Sequence, residues 1–65
     1  MKILVNGAWH DTFARELSGA LQELGYGGAL VTTAVNGEFV AAAARARTPL
    51  AEGDRLEVLA PLQGG

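Results

Sequence analysis

The sequence predicts an α+β domain in which a mixed sheet of four to five strands packs on one main helix. Three observations carry that expectation. One segment has clear helical spacing, with Leu17, Leu21 and Leu24 at i, i+4 and i+7 and Ala20 on the same face. Short strand-like runs lie on both sides of it: Met1 to Val5 and Leu30 to Val35 carry β-branched residues, and Arg55 to Leu59 alternates polar and apolar. Turn dipeptides separate the runs: Asn6-Gly7, Asn36-Gly37 and Gly53-Asp54.

The first strand, Met1 to Val5, ends at Asn6-Gly7, the dipeptide best suited to a two-residue type I′ turn. A second strand follows near Ala8 to Thr12. In the helix, polar Arg15, Glu16, Gln22 and Glu23 take the sides away from the leucine stripe, and Gly25 suits the left-handed position that closes a helix. The start has two readings. Either Thr12 caps the helix and Phe13 joins the stripe, or Phe13 ends the second strand and the helix begins near Arg15. Gly19 in the helix interior costs about 1 kcal/mol relative to alanine.

Gly25, Gly27 and Gly28 connect the helix to the Leu30 to Val35 strand, and Asn36-Gly37 turns into a short strand, Glu38 to Val40. Ala41 to Arg47 has high helix propensity but is too short to be stable alone. Thr48-Pro49 stops it, because a residue before proline avoids the helical region. After the Glu52-Gly53-Asp54 turn, Arg55 to Leu59 alternates, with Leu56 and Val58 on one side. Pro61 cannot donate to a ladder, so pairing should end there. Leu62-Gln63-Gly64-Gly65 then projects as a tail. The expected order is β-β-α-β-β-β in a single domain, residues 1–65, with a flexible tail from about residue 60.

Composition narrows the function. Sixty-five residues make one domain with a small core, too small to enclose a large substrate. There is no cysteine, so disulfides, thiolate metal sites and thiol nucleophiles are excluded. The net charge of -2 and the absence of a basic patch argue against nucleic acid as a partner. No apolar run approaches a membrane span, and the N-terminus lacks the pattern of a signal peptide, so the expected location is the cytoplasm. The chain holds no nucleophile–base set, no metal-ligand cluster and no phosphate loop, and it is read as a non-enzyme with no bound cofactor.

The residues also carry a resemblance. Val5-Asn6-Gly7, the Leu21 to Gly25 segment, Ala34 to Val40, Thr48 to Val58 and the terminal Gln63-Gly64-Gly65 together resemble the sulfur carrier of bacterial thiamine biosynthesis. That resemblance implies the ubiquitin-like β-grasp fold. It also implies that a partner adenylyltransferase, similar to ubiquitin-activating enzymes, uses ATP to adenylate the Gly65 carboxylate. A sulfur donor, of cysteine desulfurase or rhodanese type, then converts the glycyl adenylate to a thiocarboxylate (1-thioglycine), and a thiazole synthase consumes the sulfur. Gln63, Gly64 and Gly65 are the implied segment entering the partner's active site. Glycine suits that role because its backbone enters narrow sites where a Cβ clashes. Thr12 to Gly19 and Ala41 to Ala44 match the family little. Service to molybdopterin synthesis or transfer-RNA thiolation, attachment to lysines as a ubiquitin-like modifier, and an inert interaction domain remain alternatives.

Alternation adds a docking surface. With Ile3, Val5, Leu56 and Val58 toward the helix, Leu4 and Leu59 face outward. In a β-grasp fold the first and last strands are neighbours, so these leucines should lie close together. With Ala60 and Leu62 they form an apolar patch leading to the tail. Trp9 is expected to pack on the core or its rim, and His10 to take a surface strand position. Glu52 and Asp54 are expected in a solvated turn, and Arg45 and Arg47 as exposed charges at a helix end.

Overall fold

A computed structural model of the chain describes residues 1–27 and 30–60. It contains β1 (Lys2–Val5), β2 (Ala8–Asp11), α1 (Leu17–Glu23), β3 (Thr32–Val35), β4 (Glu38–Val40), a 3₁₀ helix (Ala42–Arg47) and β5 (Arg55–Leu59). The strands form one sheet in the order β2-β1-β5-β3-β4. β1 and β5 run parallel, and every other neighbouring pair is antiparallel. The mixed sheet on one helix is the architecture the sequence predicts.

Both Asn-Gly turns have the two positive φ angles that a type I′ hairpin requires: 49° and 85° at Asn6-Gly7, 51° and 83° at Asn36-Gly37. Each joins strands whose register follows directly, Val5 opposite Ala8 and Val35 opposite Glu38. Alternation then fixes the faces. Ile3, Val5, Leu56 and Val58 are buried against Leu17, Ala20, Leu21 and Leu50, with Leu24, Tyr26, Val31, Val35 and Val40 packed around them.

The helix is shorter than either reading of its start. Its first turn has no side-chain cap; Glu16 is extended at φ -134°. Glu16 instead makes an antiparallel bridge with Pro49. Leu17 N donates to Thr48 O at 2.9 Å, and Leu50 N donates to Arg15 O at 2.9 Å. Strand-like pairing therefore holds residues 15–16 extended and satisfies the first helical N–H. Upstream, the Glu23 carboxylate accepts from the Thr12 hydroxyl and from Phe13 N. Thr12 neither caps α1 nor lies in it, and Phe13 belongs to neither element: its side chain is 98% exposed.

The other end of α1 forms as the sequence implies. Tyr26 N donates to Leu21 O (2.8 Å) and Gly25 N to Gln22 O (3.1 Å), with Gly25 at φ 91°. This pair of bonds is the Schellman closure, and Gly25 occupies its left-handed site.

β3 begins at Thr32 rather than Leu30; Thr32 is opposite Leu59, the last residue of β5. The Ala42–Arg47 segment is a 3₁₀ helix tied to β3 by Arg45, which donates to Val31 O (2.6 Å) and to the buried Thr33 hydroxyl (3.1 Å). Arg45 is thus a half-buried tether rather than an exposed helix-end charge; Arg47 is exposed. The expected connection residue Gly28 lies outside the described residues.

Candidate functional site

β5 is the middle strand of the sheet, so what surrounds its end is set by both neighbours. It runs from a turn in which Asp54 N donates to Ala51 O (3.0 Å) and the Asp54 carboxylate accepts from Ala51 N (2.8 Å). Gly53 has φ 84° there. Glu52 accepts from Lys2 N at 3.1 Å. The two acids of this turn hold backbone, as a solvated turn requires. Leu56 and Val58 point into the core, while Arg55, Glu57 and Leu59 face outward. Exposed Ala60 is the last described residue. Leu62, Gln63, Gly64 and Gly65 lie outside the described residues, as does Pro61, so the strand's expected stop and the tail are not placed.

Of the expected patch, Leu4 and Leu59 lie on the outward face and Ala60 is exposed, while Leu62 lies outside the described residues. Leu4 is half-buried and Leu59 is 64% exposed. Both line a groove of about 400 Å³ together with Asn6, Gly7, Arg55, Leu56 and Glu57. The leucines do not adjoin, however. The parallel register sets Leu4 beside Arg55, four residues before Leu59, a separation of about 13 Å along the strand. On the outward face of β5, Arg55 stands level with Leu4 and Glu57 lies between it and Leu59. The sequence reading took β1 and β5 as neighbours correctly but had no register with which to align them.

Two aromatic residues on this face were not foreseen there. Trp9 pairs with Leu4, so it shares the outward side, and it is 60% exposed. It does not pack on the core because it points to the face of the sheet opposite the helix, where no other element covers it among the described residues. His10, opposite Ile3, lies on the helix side and is exposed because β2 is an edge strand that the short helix leaves uncovered; all four β2 residues are exposed. Phe39 pairs with Ala34, which pairs with Glu57, and is 71% exposed. The signal for Phe39 was available: the Asn36-Gly37 turn fixes Phe39 opposite Ala34, but its face depends on the β3–β5 register. Across the sheet, Trp9 and Leu4 on one side and Phe39 and Ala34 on the other flank the mixed-charge strip of Arg55 and Glu57.

Such a face offers shape and apolar area rather than chemistry. Among the described residues, no group of three His, Asp or Glu side chains is arranged to hold a metal ion, and no helix is long and apolar enough to cross a membrane.

A model of the ThiS family matches residues 3–65 of the chain. Among solved structures, it is similar to the thiamine biosynthesis protein (ThiS) from Geobacter metallireducens, at 29% identity and a TM-score of 0.84, with all of both chains covered. No curated protein sequence matches the chain. The sheet of five strands on one helix is accordingly a β-grasp fold.

Proposed function

The chain belongs to the ThiS family, and from that premise we propose that it is a sulfur carrier for thiamine biosynthesis whose reacting group is the Gly65 carboxylate. The single observation that carries the proposal is the extent of the match: the family model reaches residue 65, so Gly64 and Gly65 lie inside it. A carboxylate is a poor electrophile. A ubiquitin-activating-like adenylyltransferase joins the AMP part of ATP to it and releases pyrophosphate. The terminal sulfur of a persulfide on a donor of cysteine desulfurase or rhodanese type then attacks the acyl carbon and expels AMP, giving an acyl disulfide. A thiol reductant cleaves its S–S bond to leave a C-terminal thiocarboxylate. A thiazole synthase takes that sulfur into the thiazole ring. The carrier supplies an acyl group and a shape, and catalysis belongs to its cytoplasmic partners.

The outer face follows from reach. Five residues beyond Ala60 extend at most about 18 Å. An enzyme acting on Gly65 therefore has its site within that distance of the end of β5, where exposed Leu59 is available for contact. Leu59, Ala60 and Leu62, with Leu4 farther along the same groove, form the proposed docking patch. Gln63, Gly64 and Gly65 enter the partner's site.

Intact-mass spectrometry tests the proposal. Incubated with the adenylyltransferase, ATP and a sulfur donor, the chain should gain the mass of one sulfur-for-oxygen exchange. The variant lacking Gly65 should gain nothing while keeping the far-ultraviolet circular dichroism of the parent. Larger covalent adducts would identify a protein modifier instead, and an unchanged mass with active partners would reject the carrier.

A further inference from the structure

We infer, on the premise that Gly65 is the reacting group, that Asn6 is a positioning residue: its carboxamide splices β5 to β1 beyond the end of β1 and fixes the direction in which the chain leaves the sheet. Leu4 N donates to Asp54 O and Asn6 N to Leu56 O, both at 2.9 Å. The next groups of β5 on that edge are the N–H and C=O of Val58. A continuing β1 would meet them with the C=O of residue 6 and the N–H of residue 8, but the chain has already turned at Asn6-Gly7. The Asn6 side chain takes the vacant place. Its Nδ2 donates to Val58 O at 3.0 Å, and its Oδ1 accepts from Val58 N at 2.9 Å. A carboxamide has one acceptor and two donors in the plane of a peptide group, so it can imitate the missing strand. The left-handed backbone at Asn6, φ 49°, belongs to the same turn, and asparagine tolerates it better than other non-glycine residues.

Position gives this splice its consequence. Val58 is the penultimate residue of β5. On the opposite edge, β3 pairs Thr33 with Val58 and Thr32 with Leu59. Without Asn6 the last two residues of β5 would hang from one neighbour only, like an edge strand. With it, Val58 is held from both sides, two residues before Ala60.

The fold supplies an internal control. Asn36, in the other type I′ turn, accepts from Arg55 N through Oδ1 (3.0 Å) and donates through Nδ2 to the Asp54 carboxylate (3.0 Å). It secures the beginning of β5 by the same chemistry, far from the exit.

The test compares Asn6→Gly with Asn36→Gly in the full chain. Glycine accepts the positive φ at either position, so each change removes the side-chain bonds and spares the turn. In ¹⁵N-labelled protein, Asn6→Gly should speed amide exchange at Val58 and lower the order of the Leu59 and Ala60 amides, whereas Asn36→Gly should leave all three at parental values. With the adenylyltransferase, at a temperature where both variants are folded, Asn6→Gly should raise KM for the carrier roughly three- to tenfold with kcat within about twofold, the mark of lost pre-organisation rather than lost chemistry. Asn36→Gly should change neither. If Asn6→Gly does not fold, Asn6→Asp serves, because it keeps the acceptor, loses the donor and sets a carboxylate against Val58 O. Equal effects of the Asn6 and Asn36 substitutions on amide order and KM would overturn the inference. A parental chain that active partners do not adenylate would reject the carrier reading instead, and the amide measurements would still decide the splice.

Discussion

Leu59 shows how one position separates fold from function. It is the last residue of β5, its side chain leaves the core face, and its backbone is paired with Thr32. Replacing it with aspartate removes apolar contact area from the proposed docking face while the ladder stays intact. Leu59→Asp should leave the circular dichroism spectrum and the urea midpoint close to parental. It should weaken binding to the adenylyltransferase by roughly tenfold or more, the order of effect for a central apolar contact. Titration calorimetry checks this, and unchanged affinity would remove Leu59 from the interface. The inward or outward direction of Leu4, Leu56, Val58 and Leu59 was legible from alternation alone. Trp9 was not, because its face follows from the β1–β2 register, which pairs it with outward Leu4.

Among the elements, the Ala42–Arg47 helix depends most on a single tether. It buries no residue of its own, and six residues hold no helix by propensity alone. Arg45 joins it to β3 through Val31 O and Thr33 Oγ1, and the Thr33 hydroxyl passes the connection to Val40 O at 2.9 Å. Arg45→Ala leaves the carbonyl of Val31 without this donor and should cost about 1–3 kcal/mol, read as a lowered urea midpoint at unchanged m-value. Arg45→Lys should not restore it, since an ammonium cannot place two donors in the fixed geometry of a guanidinium. The two ends of α1 differ in how far they could be read. The closing turn is local, written in Gly25 and the residues just before it. The opening turn is completed by Thr48 and Pro49, more than thirty residues away in sequence, so the choice between Thr12 and Arg15 as its start had no local answer.

For the molecule as a whole, one small core carries everything. A chain of this size has a net stability of about 3–5 kcal/mol. Leu56 is fully buried at the centre of the sheet, between the β1 and β3 neighbours. Leu56→Ala should cost about 2–5 kcal/mol, enough to leave a large unfolded fraction at 25 °C, visible as a lost or sharply lowered thermal transition in circular dichroism. A folded variant with a near-parental transition would show that the core tolerates the cavity. The sequence by itself determined the strand and helix order, the two type I′ turns, the helix closure, the core-facing residues of β1 and β5 and, through its resemblance, the family, because each of these rests on neighbours within a few residues or on a pattern along the chain. Only the tertiary structure decided where α1 begins, where β3 begins, that Arg45 is a tether, that Leu4 stands beside Arg55 and not beside Leu59, and that Asn6 reaches Val58. Those features depend on the register between segments distant in the chain, and register is fixed by the shared burial of both segments, which no single segment encodes.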